Sequence, residues 1–291
     1  MKKYGKRLRL SPNEEQLIYN YRGGERKVIN SPKILSLDIE TSLMKFMGWG
    51  IYEQRIDYKN ILQDWFVICW AGKWLFEDKI ISDVITPKEV LMLKKNPLTI
   101  EDNGNDERII NSIWKVLDKA DIVITHNGRN FDHRKLNARF IYYGLARPSH
   151  YLTIDTLKSS QKEFAFASHK QAFITKLLKL PEKEKTEIEL WHDCRNGIPQ
   201  RIKEMDRYCR GDVRGLEELY LTIRSWISNH PNLPLFTDYD GSRCPACESN
   251  KLTWKNFYYT PMGKYKTFRC ECGAIGRSRE AEKRKVLTKV C

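Results

Sequence analysis

Five side chains have the types and spacing for metal-assisted hydrolysis. Asp38 and Glu40 stand two apart in Leu37-Asp38-Ile39-Glu40-Thr41. Residues two apart on a strand share a face, so these carboxylates repel unless a cation sits between them. Asp132 closes the polar run His126-Asn127-Gly128-Arg129-Asn130-Phe131-Asp132, between a strand-like and a helix-like segment. Ligands in α/β sheets bind at such turns. Tyr208 and Asp212 are four apart in Tyr208-Cys209-Arg210-Gly211-Asp212, which puts both on one face of a helix. Gly211 beside them weakens a helix and points to a close approach there. Taken singly, each feature also has an ordinary reading. A strand can run out into solvent, an acid can cap a helix by its dipole, and an amphipathic helix carries surface acids.

Cysteine supplies a second chemistry. Of the eight, Cys244-Pro245-Ala246-Cys247 and Cys270-Glu271-Cys272 form two tight pairs separated by 22 residues. Two such pairs read as a metal site. Between them, residues 251–259 and 265–269 read as a β-hairpin turning at Pro261-Met262-Gly263. The arrangement resembles a zinc ribbon, four thiolates around one structural Zn²⁺, although its second pair is C-x-C rather than C-x-x-C. Free thiols and an iron–sulfur site are the alternatives. Cys69, Cys194 and Cys209 read as buried apolar residues. The chain starts basic with no apolar run behind, so no secretory signal is expected. A cytoplasmic, reducing location without disulfides is the expectation.

Elements must bring the acids together. Lys33–Ile39 is apolar and β-branched enough for a buried strand. Residues 64–76 and 79–85 are further strands, and the three suit an antiparallel meander. Thr86-Pro87 opens a short helix. Asn105–Ala120 is a longer one with Ile109, Ile110, Ile113, Trp114 and Leu117 on one face. Asp121–Thr125 reads as a strand, Phe131–Tyr143 as a helix, Tyr151–Asp155 as a strand. Asp155 reads as a helix N-cap. Helices dominate to Ile227, the last running from Pro199. Ser11-Pro12-Asn13-Glu14 opens a short helix that ends near Tyr21. Strands first and alternating α and β afterwards predict an α/β mixed sheet flanked by helices, plus a small C-terminal module.

Charge separates the ends from the body. The 291 residues hold 51 basic and 37 acidic side chains, net +14. Residues 1–30 carry +5, residues 240–291 carry +7, and the middle only +2. Basic ends on a near-neutral body point to a polyanion partner or to solubilising tails. No stretch approaches the roughly 18 apolar residues of a membrane helix, so no membrane partner is expected. The expected organisation is a basic arm at 1–32, the acid-bearing domain at 33–228, a Pro- and Gly-containing linker at 229–241, the cysteine module at 242–276 and a basic tail at 277–291. Lysines and arginines in the module interleave with Trp254, Phe257, Tyr258, Tyr259, Tyr265 and Phe268. That pattern suits single-stranded nucleic acid; an ordinary hairpin with one apolar face, or a protein-docking surface, are the other readings.

Asp-x-Glu in a first strand, Asn-x(3)-Phe-Asp after a later strand and Tyr-x(3)-Asp in a late helix, in that order across 33–227, resemble the DEDD 3′–5′ exonucleases of the ribonuclease-H-like (DnaQ-like) superfamily. The tyrosine makes this similar to the DEDDy branch, which includes the proofreading domains of family-B DNA polymerases and ribonuclease D. The resemblance implies two Mg²⁺ or Mn²⁺ ions. Asp38 would bridge both, Glu40 and Asp212 would complete the first, and Asp132 would support the second. Tyr208 would orient the attacking water. Asn127 and Phe131 belong to the motif, and Thr41 to Leu43 would contact the 3′-terminal nucleotide. The implied activity is 3′–5′ exonuclease action on DNA 3′ ends, with replication proteins as possible partners. An exoribonuclease of the same family, or a non-catalytic nucleic-acid adaptor, are the alternatives.

Overall fold

The computed structural model describes residues 31–50, 56–95, 101–103, 105–181, 186–237, 241–261 and 263–282. The expected helix of residues 11–21 and the end of the basic tail lie outside them. The chain divides into two compact units, one of Lys33–Leu219 and one that includes Tyr220–Cys291.

In chain order the first unit holds β1 (Ile34–Thr41), β2 (Lys45–Phe46), β3 (Ile61–Gln63), β4 (Val67–Trp74), β5 (Ile80–Val84), helix α1 (Pro87–Leu91), β6 (Leu93–Lys95), β7 (Glu101–Asn103) and α2 (Glu107–Leu117). Then come β8 (Ile122–Thr125), α3 (Asp132–Tyr142), β9 (Leu152–Asp155), α4 (Thr156–Glu163), α5 (Gln171–Leu177), α6 (Ile188–Arg195) and α7 (Pro199–Ile223), whose residues from Tyr220 onward belong to the second unit. Five strands form a mixed sheet in the order β5-β4-β1-β8-β9. β5, β4 and β1 are the antiparallel meander; β8 and β9 run parallel to β1. β2 pairs with β3, and β6 with β7. These ribbons are two or three residues long, too short to show a period in the sequence.

β4 and β8 are apolar without alternation because both their faces are covered, whereas β1 alternates, with Leu35, Leu37 and Ile39 on one face and Ser36, Asp38 and Glu40 on the other. Leu35, Leu37, Phe66, Val67, Ile68 and Ala71 are all buried. α2 packs Ile109, Ile110, Ile113 and Leu117 into this core, while Trp114 is partly buried and donates its indole N–H to Ala146 O. α1 starts with a capping box, Thr86 Oγ1 accepting from Glu89 N and Glu89 Oε2 accepting from Thr86 N.

The register of β1 creates the opening for a site. β1 pairs with β8 only through Ile34, Leu35 and Ser36. On its other side it stays paired with β4 as far as Thr41, with a register shift after Glu40. The second half of β1, which carries Asp38 and Glu40, thus outruns its parallel neighbour.

A buried ion pair anchors α3 to the sheet. Asp106, fully buried, accepts from Val67 N at 2.8 Å, from Arg139 Nε at 2.7 Å and Nη2 at 2.6 Å, and from the Tyr143 hydroxyl at 2.5 Å. Four donors on one carboxylate satisfy it completely, which a buried charge requires.

In the second unit, β10 (Leu252–Thr260), β11 (Gly263–Cys270) and β12 (Ile275–Arg277) form an antiparallel sheet in that order. The hairpin follows the expected segments. β12 begins inside the expected module and ends at the first residue of the expected tail. The stretch read as a linker contains a 3₁₀ turn at Leu233–Phe236, and Leu233 N donates to Pro245 O at 3.0 Å.

Candidate active site

Asp38, Glu40 and Asp212 each present one carboxylate oxygen, and these three atoms lie within 4.8 Å of one another. β1 supplies the first two and α7 the third. Oxygens on opposite sides of a Mg²⁺ ion lie about 4 Å apart, so the spacing matches a shared hard cation, and an all-carboxylate donor set suits Mg²⁺ or Mn²⁺. Asp212 is buried, while Asp38 and Glu40 are half-buried, and three acids this close repel one another unless a cation joins them.

Asp132 stands just outside that trio, in the first turn of α3. Its Oδ1 accepts from Ile39 N at 3.2 Å, the backbone amide between Asp38 and Glu40. This bond exists because β8 has already left the edge of β1. Burial pushes the Asp132 carboxyl up to about 7, against the pull of its own backbone N–H and that of Ile39, and the charge of Asp155 adds to the rise.

The turn before α3 is held from β9. Asp155 is the N-cap of α4, accepting from Leu157 N at 3.0 Å, as its sequence context predicts. It also accepts from Asn127 N at 2.9 Å and Arg129 N at 3.4 Å. Asn127 has a positive φ of 72°, a conformation asparagine tolerates better than most residues. Its side-chain oxygen accepts from Asn130 Nδ2. Gly128 is required: a Cβ there would lie 2.1 Å from Thr125 Oγ1. Phe131 is partly buried against the core. Of the residues after β1, Thr41 is buried and Leu43 exposed.

Tyr208 and Asp212 are both buried on α7. Gly211 corrects one expectation: among the described residues a Cβ there would meet nothing within 4 Å, so no close approach calls for the glycine. The tight position is Gly215, where a Cβ would come within 3.3 Å of Gln171 Nε2. Cys209 is buried but is more than filler. Its thiol lies 3.5 Å from both Asp38 O and Asp38 Oδ2, and burial keeps it well above the usual thiol range, so it remains a donor.

Helix α6 contributes two residues that motif reasoning passes over. Trp191 donates its indole N–H to Glu40 Oε2 at 3.1 Å and meets the Tyr208 ring edge-on at 5.8 Å. Arg195, four residues on and therefore on the same face, donates to Ser42 Oγ at 2.9 Å, Asp64 O at 3.1 Å and Leu43 O. One helix thus steadies both the acidic end of β1 and the segment after it. The i, i+4 spacing of Trp191 and Arg195 is the only sequence signal, and it names no partner.

In the second unit the four sulfurs of Cys244, Cys247, Cys270 and Cys272 lie within 4.8 Å of one another. Cys244 Sγ is 3.7 Å from Cys272 Sγ, and Cys247 Sγ is 3.6 Å from Cys270 Sγ. A tetrahedral Zn²⁺ with 2.3 Å bonds sets its sulfurs about 3.8 Å apart, whereas a disulfide brings them to about 2 Å. The residues therefore fit a tetrahedral metal ion. Hydrogen bonds within the cluster hold the Cys270 and Cys272 thiols below the usual cysteine range and push those of Cys244 and Cys247 above it.

No protein-family model matches the chain, and no curated protein matches it. Among solved structures, it is similar to the family B DNA polymerase from the hyperthermophilic archaeon Pyrobaculum calidifontis. That match covers 67% of this chain and 25% of the polymerase chain, at 14% identity and a TM-score of 0.45. At that distance the likeness carries no functional argument, and the residues themselves must. Among the described residues, no helix is long and apolar enough to cross a membrane.

Proposed function

We propose that the protein is a metal-dependent 3′–5′ exonuclease that hydrolyses phosphodiester bonds from the 3′ end of DNA, acting on single-stranded or frayed ends. The observation that carries this reading is the convergence of Asp38, Glu40 and Asp212 from a strand and a helix that lie far apart in the chain. The fourth acid, Asp132, is bonded to the backbone between the first two. On this reading the mixed sheet is a ribonuclease-H-like fold, and the order of the three motifs supports the exonuclease type.

A phosphodiester is anionic and repels an attacking hydroxide. Divalent cations, when bound, neutralise that charge, acidify water and stabilise the leaving oxygen. Asp38, Glu40 and Asp212 would hold one such ion, with Asp38 and Asp132 serving a second. Trp191 keeps the Glu40 carboxylate turned toward its neighbours, and Cys209 does the same for Asp38. Tyr208 orients the attacking water; a phenol is a poor base at neutral pH, so positioning is its contribution. Arg195 steadies Ser42 and Leu43, and Thr41 and Leu43 would meet the terminal nucleotide. Asn127 and Phe131 shape the turn that presents Asp132. The four cysteines hold a structural Zn²⁺.

The test uses 5′-labelled DNA and RNA oligonucleotides with matched and mismatched 3′ ends, in Mg²⁺, Mn²⁺ or EDTA. Stepwise shortening of DNA from the 3′ end is expected with either ion and not with EDTA. Asp38→Ala and Asp212→Ala should lose it while keeping the wild-type circular dichroism. Hydrolysis by Asp38→Ala at the wild-type rate would overturn the reading, and preferential shortening of RNA would move it to an exoribonuclease.

A further inference from the structure

The distal half of the β10–β11 hairpin is not explained by packing. The core around the cysteines ends at Trp254 and Phe268, which face each other across the strands at 5.3 Å. Beyond them come three consecutive aromatic residues, Phe257, Tyr258 and Tyr259, exposed by 37%, 51% and 67%. Adjacent exposed rings mark an interaction surface more often than a solvated one.

A bulge decides which face each ring takes. The register shifts between Trp254 and Phe257, with Asn256 at a φ of 58°. Phe257 therefore pairs with Lys266, Tyr258 with Tyr265, and Tyr259 with Lys264. Directly opposed residues share a face. One face carries Phe257 and Tyr259 with Lys264, whose Nζ lies 3.6 Å from the Phe257 ring centroid. The other carries Tyr258 and Tyr265 with Arg277, whose guanidinium is 4.0 Å from the Tyr265 centroid and 5.3 Å from that of Tyr258. Both faces of the projecting hairpin thus pair rings with cations.

The charge is one-sided. Residues 252–277 hold five basic side chains and a single acid, Glu271. That acid is engaged at the base of the hairpin by Ser249 Oγ at 2.7 Å and by Lys251 Nζ at 3.5 Å. A partner must therefore bring anions spaced along its length and flat apolar faces that rings can meet.

We infer that this hairpin binds single-stranded polynucleotide, stacking unpaired bases on Phe257, Tyr258 and Tyr259 while Lys264, Lys266 and Arg277 take the phosphates. Every base offers a π-face, so such binding is sequence-tolerant, and pairing in a duplex hides those faces. The surface is independent of the acid cluster and goes beyond the hydrolytic reading.

The experiment follows fluorescence anisotropy of labelled dT20, rU20 and a duplex of the same length with the full chain. No Mg²⁺, Mn²⁺ or chelator is added, so hydrolysis does not intervene and zinc stays in place. The exposed triple variant Phe257→Ala/Tyr258→Ala/Tyr259→Ala, checked for unchanged zinc content, should bind the single strand at least ~10-fold more weakly, since each stacked base contributes about 5- to 150-fold. Its duplex affinity should change by less than about 2-fold. Lys264→Ala/Lys266→Ala should reduce the slope of log affinity against log salt by about 1.4, roughly 0.7 for each phosphate that no longer meets a cation. The relative affinity for dT20 and rU20 names the sugar. Wild-type affinity in the triple variant overturns the proposal and leaves the rings to a protein partner; an equal loss on duplex and single strand overturns it as well. Hydrolysis is followed separately with Mg²⁺ added, so its loss bears on the acid cluster alone, and binding unaffected by the ring substitutions bears on the hairpin alone.

Discussion

The indole N–H of Trp191 reaches Glu40 Oε2 at 3.1 Å across 151 positions of sequence. The same ring packs edge-on against Tyr208. A carboxylate that must receive a cation is worth orienting, because a free rotor loses that orientation on every exchange. Trp191→Phe keeps the ring against Tyr208 and removes only the donor. The Mn²⁺ concentration for half-maximal hydrolysis should rise roughly 10-fold or more, with the melting temperature nearly unchanged. An unchanged Mn²⁺ requirement would reduce Trp191 to packing.

The Asp106–Arg139 pair ties the helix bearing Asp132 to β4. Removing one partner leaves the other charge buried without compensation, at a cost of about 3–5 kcal/mol. Arg139→Met should lower the urea-unfolding free energy by that order. Substitution of Arg108, whose contacts to Asp83 and Glu89 are more exposed, should cost less than about 1 kcal/mol. Similar losses at the two sites would contradict the burial argument.

Metal removal should act locally. A strong chelator should release one Zn²⁺ per chain, seen with a colorimetric indicator, and free four thiols. Amide exchange should then accelerate in residues 244–276, a segment too small to hold its core without the metal. Exchange in β1, β4 and β8 should stay slow. Retained protection in the hairpin after verified zinc loss would show that its core stands alone.

His230 makes the stability of the second unit depend on pH. Its Nδ1 lies 2.7 Å from Pro231 O, which can only accept, so Nδ1 carries the hydrogen and Nε2 accepts from the Tyr220 hydroxyl at 2.9 Å. Burial pushes the imidazole down to about 4; the Pro231 carbonyl opposes this and the Arg224 charge adds to it. The folded pKa is below the unfolded one, so the stability is complete above about pH 6.5 and is lost as pH falls from there to about 4. The full loss is on the order of 3 kcal/mol. NMR titration should give His230 a pKa near 4, and His230→Phe, which retains the stacking on Tyr220, should flatten the fall of the urea midpoint below pH 6.5. A His230 titration near 6.5 would remove the effect.

Gly128→Ala should disturb the turn more than its size implies, because the new methyl would collide with the Thr125 side chain. Destabilisation of about 1–3 kcal/mol is expected from such overpacking, together with a loss of hydrolysis as Asp132 shifts. Gly211→Ala, facing open space within a helix, should instead stabilise by roughly 0.5–1 kcal/mol. Thermal melts of the two variants check both signs.

The acids, the cysteine pairs and most of the elements were legible because they depend on local chemistry. Carboxylates two apart on a strand, thiols at metal-ligand spacing and apolar residues at helical period are visible in any short window. Trp191, Arg195 and Asp106 were not. Each acts through a partner more than 30 positions away, and an indole, a guanidinium or a carboxylate has no spacing that announces such a bond. Gly211 was misread for the same reason: a glycine in a helix has one sequence signature whether an element packs on it or nothing does.

By itself, then, the sequence determined which ligand types are present, that the acids fall onto common faces, and that four thiols stand at metal-ligand spacing. Only the tertiary structure decided that β1 outruns β8, so that Ile39 N–H is left for Asp132 while Asp212 arrives from a helix on the far side of the chain. It also decided, through one bulge, which of three consecutive rings faces which way. The physical reason is common to both. Pattern within a segment is set by the chain's own period, whereas register between segments is set by how strands end and where an extra residue enters the ladder, and a shift of one residue exchanges the two faces.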